Sequence, residues 1–423
     1  MTQLKQNWAN NLLTFSRRLN QHKFYQIIIT SLMAVFPIAV VGAFVALIDK
    51  TIFIPTGFFE QLYHVSKWLP FYLPIGNFWA SLAILLNNLV VSWLTFLVAA
   101  NAAKSKQQNA WLAGIISSTL LWLSNQSLFT EPIKNGMLQL TLNFNGLTIR
   151  GILAAIVLGF FVSWFLGRYA HHQLLAITGL TLVAAAMAAG YHAFIPNSLA
   201  ETLVAWFAQL TANWDKNILL LLLLVLISNL LLIVGVPGSL NLADGNNDAI
   251  FSVQNLNYAL ENHHLANVPY PVNLHAIYDT YAFVGGSGMM LALLIAIVWR
   301  SHNRRTQRTA AISFLPTFFN LNSPILIGTP VLFNPLLAIP FVVTPLVACL
   351  VAWLFVSLHL MPAAVYPVPL TTPGILKGFL ATGGNWVALL VSGLNLALAT
   401  LIYLPFVTLN DKYNLVSKAG DWR

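Results

Sequence analysis

The sequence predicts an all-α, polytopic membrane protein of about ten transmembrane helices with re-entrant hairpins. Three observations carry that expectation. Of 423 residues, 58% are hydrophobic and 7% charged, with a mean hydropathy of +0.75. A soluble domain carries about 25% charged residues, so this chain has too few to coat a water-facing surface. Nine runs are apolar and long enough to approach the ~20 residues a helix needs to cross ~30 Å of hydrocarbon. Three further stretches, Val236–Leu260, Ile312–Pro335 and Ala363–Asn385, mix apolar residues with Gly, Pro and Asn. Soluble globular, disordered and collagen-like classes are excluded on composition alone.

In chain order, residues 1–25 form an amphipathic stretch. Trp8, Leu12, Leu13, Phe15 and Leu19 fall near helical spacing, and Lys5, Arg17, Arg18 and Lys23 supply cations. This is the pattern of a helix lying in the membrane interface, not of a secretory signal. The nine candidate spans are Ile27–Ile48, Gly76–Ala100, Ala110–Phe129, Gly146–Leu166, Leu174–Ile195, Ile218–Val236, Ile277–Trp299, Phe333–His359 and Trp386–Val407. Lys104, Lys106, Arg168 and the loop Arg300–Arg308 mark cytoplasmic connections, and Lys412, Lys418 and Arg423 a cytoplasmic C-terminus. Cytoplasmic N- and C-termini follow. Seven candidates lie between Lys23 and Arg300, where an even number is required. Either one run does not cross or Val236–Leu260 does.

The formal charge of +9 sits in short clusters beside apolar runs, which fits bilayer orientation and contact with lipid, not nucleic acid. The single cysteine, Cys349, permits no internal disulfide and no Cys-based metal site. There is no H-E-x-x-H, no P-loop and no nucleophile–base pair set by spacing, so no metal, cofactor or catalytic residue is expected on the chain. The chain changes style near residue 200. Plain apolar helices come first and broken, polar-punctuated ones after. Residues 26–200 read as a scaffold or dimer-interface half, 201–410 as a transport half with re-entrant hairpins, and 411–423 as a cytoplasmic tail.

The densest candidate site runs from Phe318 through Asn320, Asn322, Ser323 and Pro324 to Thr329-Pro330, then Phe333-Asn334-Pro335. Proline removes a backbone donor and breaks the helix. Asparagine offers donors and an acceptor without charge. Together they suit a hairpin tip that hydrogen-bonds a neutral polyhydroxyl ligand. The bland alternative is a kinked loop whose asparagines cap helix ends. Val284-Gly285-Gly286-Ser287-Gly288-Met289 reads either as a helix packed tightly beside the solute or as ordinary small-residue packing. Asp279, starting the same run, is an intramembrane acid or a wet interfacial one. Ser239–Asp248, with Asp244 and Asp248, lacks the closing acid of a calcium loop and reads as a polar connector. Trp386 beside Gly383-Gly384-Asn385 is placed to stack on a sugar ring.

At four blocks the chain resembles the membrane-embedded IIC permease of the phosphoenolpyruvate-dependent sugar phosphotransferase system, lactose/cellobiose type. They are Gly235–Ser239, Asp279–Met290 (DTYAFVGGSGMM), Phe319–Pro335 running into Ile339–Val343, and Ala399–Val407. The resemblance covers residues 1–410. It implies a fold like that of the phosphotransferase-system IIC glucose superfamily. It also implies a homodimer and uptake of an oligosaccharide or disaccharide phosphorylated by a separate IIB protein served by IIA. The family's span-ending block reads G-x-H-G, its His helping to position the sugar; here that position is Pro237, followed by Gly238. The family's hairpin reads N-E-P, its Glu binding the sugar; here it is Asn322-Ser323-Pro324. Sugar-stacking tryptophans are replaced by Leu232 and Leu370. The solute-binding residues implied are Asn320, Asn322, Ser323, Pro237, Gly238 and Asp279. Three classes stay open: a phosphotransferase permease with an altered ligand, a relative that passes a neutral solute unphosphorylated, and a membrane sensor that binds without transport. A proton-coupled carrier using Asp279 stands outside these.

Overall fold

A computed structural model describes residues 2–124, 129–130, 133–134, 137–138, 141–142, 151–169, 178–182, 217–236 and 249–420. Among the described residues the regular structure is helical apart from two antiparallel ladders of two-residue strands, β1 (Phe129–Thr130) with β4 (Thr141–Leu142) and β2 (Ile133–Lys134) with β3 (Met137–Leu138). The helices are α1 (Thr2–Gln21), α2 (Lys23–Ile48), α3 (Phe58–Tyr63), α4 (Val65–Trp68), α5 (Tyr72–Ser105), α6 (Ala110–Ser124), α7 (Ile152–Arg168) and α8 (Ile218–Ile233). They continue with α9 (Ala249–Asn262), α10 (Met290–Arg300), α11 (Arg304–Phe318), α12 (Ser323–Gly328), α13 (Pro335–Ser357), α14 (Gly374–Ala381) and α15 (Trp386–Gly420). Two π-helical turns, Asp49–Phe53 and Leu274–Asp279, interrupt the series. Among the described residues, four helical stretches are long and apolar enough to cross a membrane: Lys23–Tyr63, Tyr72–Ser105, Pro335–Ser357 and Trp386–Tyr413. Four shorter apolar helices accompany them. The chain is a multi-pass membrane protein.

Most candidate spans coincide with single helices, but one does not. Ile277–Trp299 is not continuous. It holds the end of the π turn, a break over 283–289, and α10. Hydropathy averages across the break, because the loop residues are themselves apolar or small. The expected cytoplasmic loop Arg300–Arg308 is shorter than its charges suggest. Asn303 caps α11, its side chain accepting from Arg305 N at 3.0 Å, so Arg304, Arg305 and Arg308 lie on the first turns of that helix. Leu174–Ile195 falls mostly outside the described residues, as do His171, His172, Trp214, Pro237, Gly238, Asp244 and Asp248.

Two compact units emerge. One holds Asn20–Gly42 and Ser81–Leu203. Its core is Ala99, Ala103, Ala113, Ile116, Leu120, Val162 and Leu166. Small residues let its helices approach closely: a Cβ on Gly159 would fall 2.8 Å from Val98 Cγ1, and one on Gly114 would meet the Phe96 ring at 2.5 Å. Such packing replaces the hydrophobic drive that lipid does not supply. Side chains add cross-links, with Trp122 Nε1 donating to Ser92 Oγ at 2.9 Å and Asn101 Nδ2 to Ser31 Oγ at 3.0 Å.

The other unit holds Met1–Leu19, Ala43–Ala80 and Val204–Arg423. The segment Ala43–Ala80, sequentially remote, belongs with the C-terminal half. Phe58 and Phe59 pack their rings at 6.3 and 5.6 Å from Phe319, and Thr371 Oγ1 accepts from Phe58 N at 3.3 Å. α15 is the centre of this unit, packing on α10, α13 and α14. α13 starts at Pro335, where a missing N–H costs nothing, and Asn334 caps it by accepting from Leu336 N at 3.0 Å. Its internal Pro340 and Pro345 are of the kind that membrane helices tolerate when neighbours satisfy the freed carbonyls.

The break at 283–289 depends on glycine. Gly285, Gly286 and Gly288 have φ of +78°, +92° and +73°, a region L side chains rarely adopt. A Cβ on Gly288 would lie 2.2 Å from Phe341 Cδ2. The run is a helix break locked against its neighbours and not simple small-residue packing. Gly288→Ala combines backbone strain with this clash. It is expected to destabilise the unit by about 2–4 kcal/mol, read as a lowered midpoint in thermal unfolding of the purified protein.

Candidate functional site

The break in the helix and the hairpin Phe319–Pro335 are built around each other. Asn320 has φ +65°, a conformation asparagine adopts more readily than most residues, and is 5% exposed. Its Oδ1 accepts from Gly285 N at 2.9 Å. Its Nδ2 donates to Leu370 O and Thr372 O, both at 2.8 Å. One amide thus joins its own hairpin to two segments, one 35 residues before it and the other 50 to 52 residues after it in sequence. Asn322 precedes α12 and is half-buried; its Nδ2 donates to Ser287 O at 3.2 Å. A Cβ on Gly286 would fall 2.5 Å from that nitrogen, so the glycine is what lets the two segments meet. Ser323, half-buried, opens α12, whose second residue is Pro324.

The far side of the break is tied by α13 and α15. Gly288 O accepts from Tyr403 Oη at 2.7 Å and from Thr344 Oγ1 at 3.2 Å. Asn395 Nδ2 donates to Tyr281 O at 3.3 Å and to Ala348 O at 3.1 Å. Tyr281, Tyr403 and Asn395 are all buried. In an apolar surround each main-chain carbonyl left bare costs free energy, so these side chains stand in for a missing helical turn.

α14 closes the third side. A Cβ on Gly374 would fall 2.7 Å from Val284 Cα, and one on Gly378 2.8 Å from Tyr281 Cε1. Between them Lys377, 4% exposed, donates from Nζ to Asp279 O at 3.5 Å and lies 5.4 Å from the Phe283 ring centroid. Asp279 is the last residue of the π turn, half-buried, rather than the first residue of a continuous span.

Of the six solute-site residues expected from the sequence, Asn320, Asn322, Ser323 and Asp279 converge on this junction. Pro237 and Gly238 lie outside the described residues. Gly235, two positions before Pro237, follows the C-cap of α8 with φ +80°, and Val236 N bonds back to Leu231 O at 3.0 Å. Of the three hairpin asparagines, Asn334 is a helix cap, as the bland reading holds, while Asn320 and Asn322 are cross-ties. Trp386 is 70% exposed with its ring 5.1 Å from Phe379. Leu232 is buried, and Leu370 contributes the carbonyl that Asn320 holds.

Sequence reasoning passed over Lys377, Asn395 and Tyr403. Lys377 had a signal: it is the only charged residue between Arg308 and Asp411. Asn395 and Tyr403 had none, since each reads as one polar group inside an apolar run. Several buried oxygens around the junction make no hydrogen bond: Tyr281 Oη, Thr372 Oγ1, Thr329 Oγ1 and Asn395 Oδ1. Among the described residues no group of His, Cys, Asp and Glu is placed to hold a metal ion.

Two substitutions separate the asparagines. Asn320→Ala strands one donor and two acceptors in the interior and is expected to cost about 2–4 kcal/mol, whereas Asn322→Ala costs about 1 kcal/mol. Thermal unfolding of both variants in detergent checks the order. Equal losses would show that Asn320 is not the principal tie.

Comparison with known proteins places these features in context. The family model described as "Phosphotransferase system, EIIC" matches residues 29–345. The cellobiose-specific EIIC component of Lactococcus lactis is 36% identical over 156 residues, 36% of this chain and 31% of that protein. The lichenan permease IIC component of Bacillus subtilis is 35% identical over 140 residues, 33% of this chain and 31% of that one. The lactose-specific EIICB component of Streptococcus mutans is 33% identical over 136 residues, 32% of this chain and 24% of that one. The matched segment spans about a third or less of the length of these relatives. Among solved structures, the transporter ChbC, the IIC component from the N,N'-diacetylchitobiose-specific phosphotransferase system, aligns with a TM-score of 0.46 at 18% identity. That alignment covers 96% of this chain and 98% of that one.

Proposed function

The chain belongs to the phosphotransferase system EIIC family, and from that premise we propose that it is a sugar permease. It carries a disaccharide- or oligosaccharide-type sugar across the bacterial plasma membrane for phosphorylation by a separate IIB protein that IIA supplies. The observation that carries the reading is the glycine break at 283–289 tied to the amide-rich hairpin by Asn320 and Asn322. Discontinuous helices that expose backbone and amide groups at membrane depth are where transporters hold solute. Relatives named for cellobiose, lichenan and lactose support a sugar as the solute. In this reading the chain works as a homodimer with both termini cytoplasmic, contacts lipid over its exposed apolar faces, and contributes no phosphoryl-transfer residue of its own. Ser323 and Asp279 flank the solute with Asn322, and Pro237 and Gly238 are the further solute-binding residues that the family resemblance implies.

A second reading rests on one specific feature. Pro237 and Ser323 stand where the family resemblance places a proton-exchanging His and a carboxylate. A chain lacking both is suited to pass its solute unmodified, because neither a group that titrates near pH 7 nor a charge-assisted acceptor is available there.

Membrane vesicles containing the protein, given labelled cellobiose-type sugars from outside, separate the two. The permease reading expects accumulation that requires phosphoenolpyruvate and the soluble phosphotransfer proteins. Equilibration without them supports the second. Absence of uptake in both conditions overturns both. The paired substitution Pro237→His with Ser323→Glu is expected to raise disaccharide affinity by at least about tenfold, the value of one charge-assisted hydrogen bond. Calorimetric titration reads that gain, and an unchanged affinity would remove Ser323 from the site.

A further inference from the structure

Lys377 is the one charge the chain keeps between Arg308 and Asp411. Transferring an ammonium from water into an apolar interior is strongly unfavourable unless acceptors replace its hydration. An ammonium carries three donors. The hydrogen-bond acceptor that Lys377 has among the described residues is the Asp279 carbonyl at 3.5 Å, the outer limit for such a bond, with the Phe283 ring at 5.4 Å beside it. Its position is not peripheral. The preceding Thr372 gives its carbonyl to Asn320, Gly374 touches Val284, and Gly378 touches the Tyr281 ring. Two buried hydroxyls of the same elements, Tyr281 Oη and Thr372 Oγ1, also make no hydrogen bond. No acidic residue occurs in the hairpin 319–335, in the break 283–289 or in the stretch 363–385. A buried cation with one long main-chain hydrogen bond, and hydroxyl groups that make none, therefore share the junction with neutral amides.

We propose that Lys377 determines the solute class, and that the sugar taken by this permease carries an anionic group, the carboxylate of a sugar acid. The inference rests on the permease reading above and names its substrate. A carboxylate suits the site better than a phosphate. A phosphate monoester brings about −1.5 to −2 charges at pH 7, whereas the junction offers one cation. The Asp279 carboxylate lies near enough to act on Lys377, so the competing role is a self-contained buried pair that only holds α14 in place.

The test uses the full chain in lipid nanodiscs and calorimetric titration with three probes: cellobiose, cellobionic acid (the same disaccharide with its reducing end oxidised to a carboxylate) and cellobiose 6-phosphate. The wild type is expected to bind cellobionic acid roughly tenfold more tightly than cellobiose, the gain of a charge-assisted hydrogen bond. Lys377→Met should bring the ratio of acid to neutral affinity down to about one, and Lys377→Arg should retain the wild-type ratio. Thermal unfolding establishes that both variants are folded. Equal wild-type affinity for acid and neutral sugar overturns the proposal, as does a Met variant that loses both alike; in either case the permease reading stands. Preference for the phosphate ester with the same dependence on Lys377 overturns the carboxylate assignment. Failure of the wild type to bind any of the three overturns the permease reading and this inference together.

Discussion

A broken helix inside an apolar protein is tolerable only if other residues complete its backbone hydrogen bonds, and the C-terminal unit is organised around that demand. Water is not available to the break at 283–289 as it would be in a surface loop. The missing partners come from distant side chains: Asn320 for Gly285 N, Asn322 for Ser287 O, Tyr403 and Thr344 for Gly288 O, and Asn395 for Tyr281 O. The geometry propagates outward. The glycines must be glycines because the loop uses positive φ and lets Asn322, Leu291 and Phe341 come within contact. α15 must lie centrally because it supplies both Asn395 and Tyr403. The hairpin and α14 must meet because one asparagine bonds to the loop leading into α14 and to the break together.

The sequence made the membrane class, most helix positions and the broken character of 312–335 and 363–385 legible, because composition and run length report burial in lipid directly. It did not reveal the break inside Ile277–Trp299. A hydropathy window measures transfer free energy, and Val284, Gly285, Gly286 and Met289 transfer as easily in a loop as in a helix. Only the clustering of glycines hinted at positive φ. The segment Ala43–Ala80 offered no sign that it would join the C-terminal half. That association rests on aromatic contacts of Phe58 and Phe59 with Phe319, more than 250 residues away, and no local pattern encodes a partner at that distance.

The solute site was half legible for a related reason. Asparagine in an apolar hairpin signals hydrogen bonding, but the residue type does not say to what. Asn334 caps a helix, Asn320 binds backbone, and Asn322 binds backbone from a half-buried position. These are three uses of one side chain within 15 residues. Lys377 is the opposite case. Its meaning lies in the absence of other charges along a long stretch, which motif reading overlooks because it looks for what is present.

The distribution of satisfied groups constrains how such a site can recognise anything. The Asn320 amide has given Oδ1 and both Nδ2 bonds to main chain. It cannot bind a sugar hydroxyl strongly without freeing a buried backbone group, and the exchange gains little because one hydrogen bond replaces another. In the proposed site, recognition energy would have to come from groups with capacity left, among them the hydroxyls of Tyr281 and Thr372, which make no hydrogen bond, and the ammonium of Lys377, which makes one long one. The amide-rich hairpin then acts as the frame. It fixes where the unspent groups stand, so ordering them is achieved before the solute arrives, and binding need not supply that entropy. A site of this kind separates its architecture from its selectivity. The glycines and asparagines define the break, and a few residues such as Lys377 and Ser323 can vary without disturbing the ties that hold it.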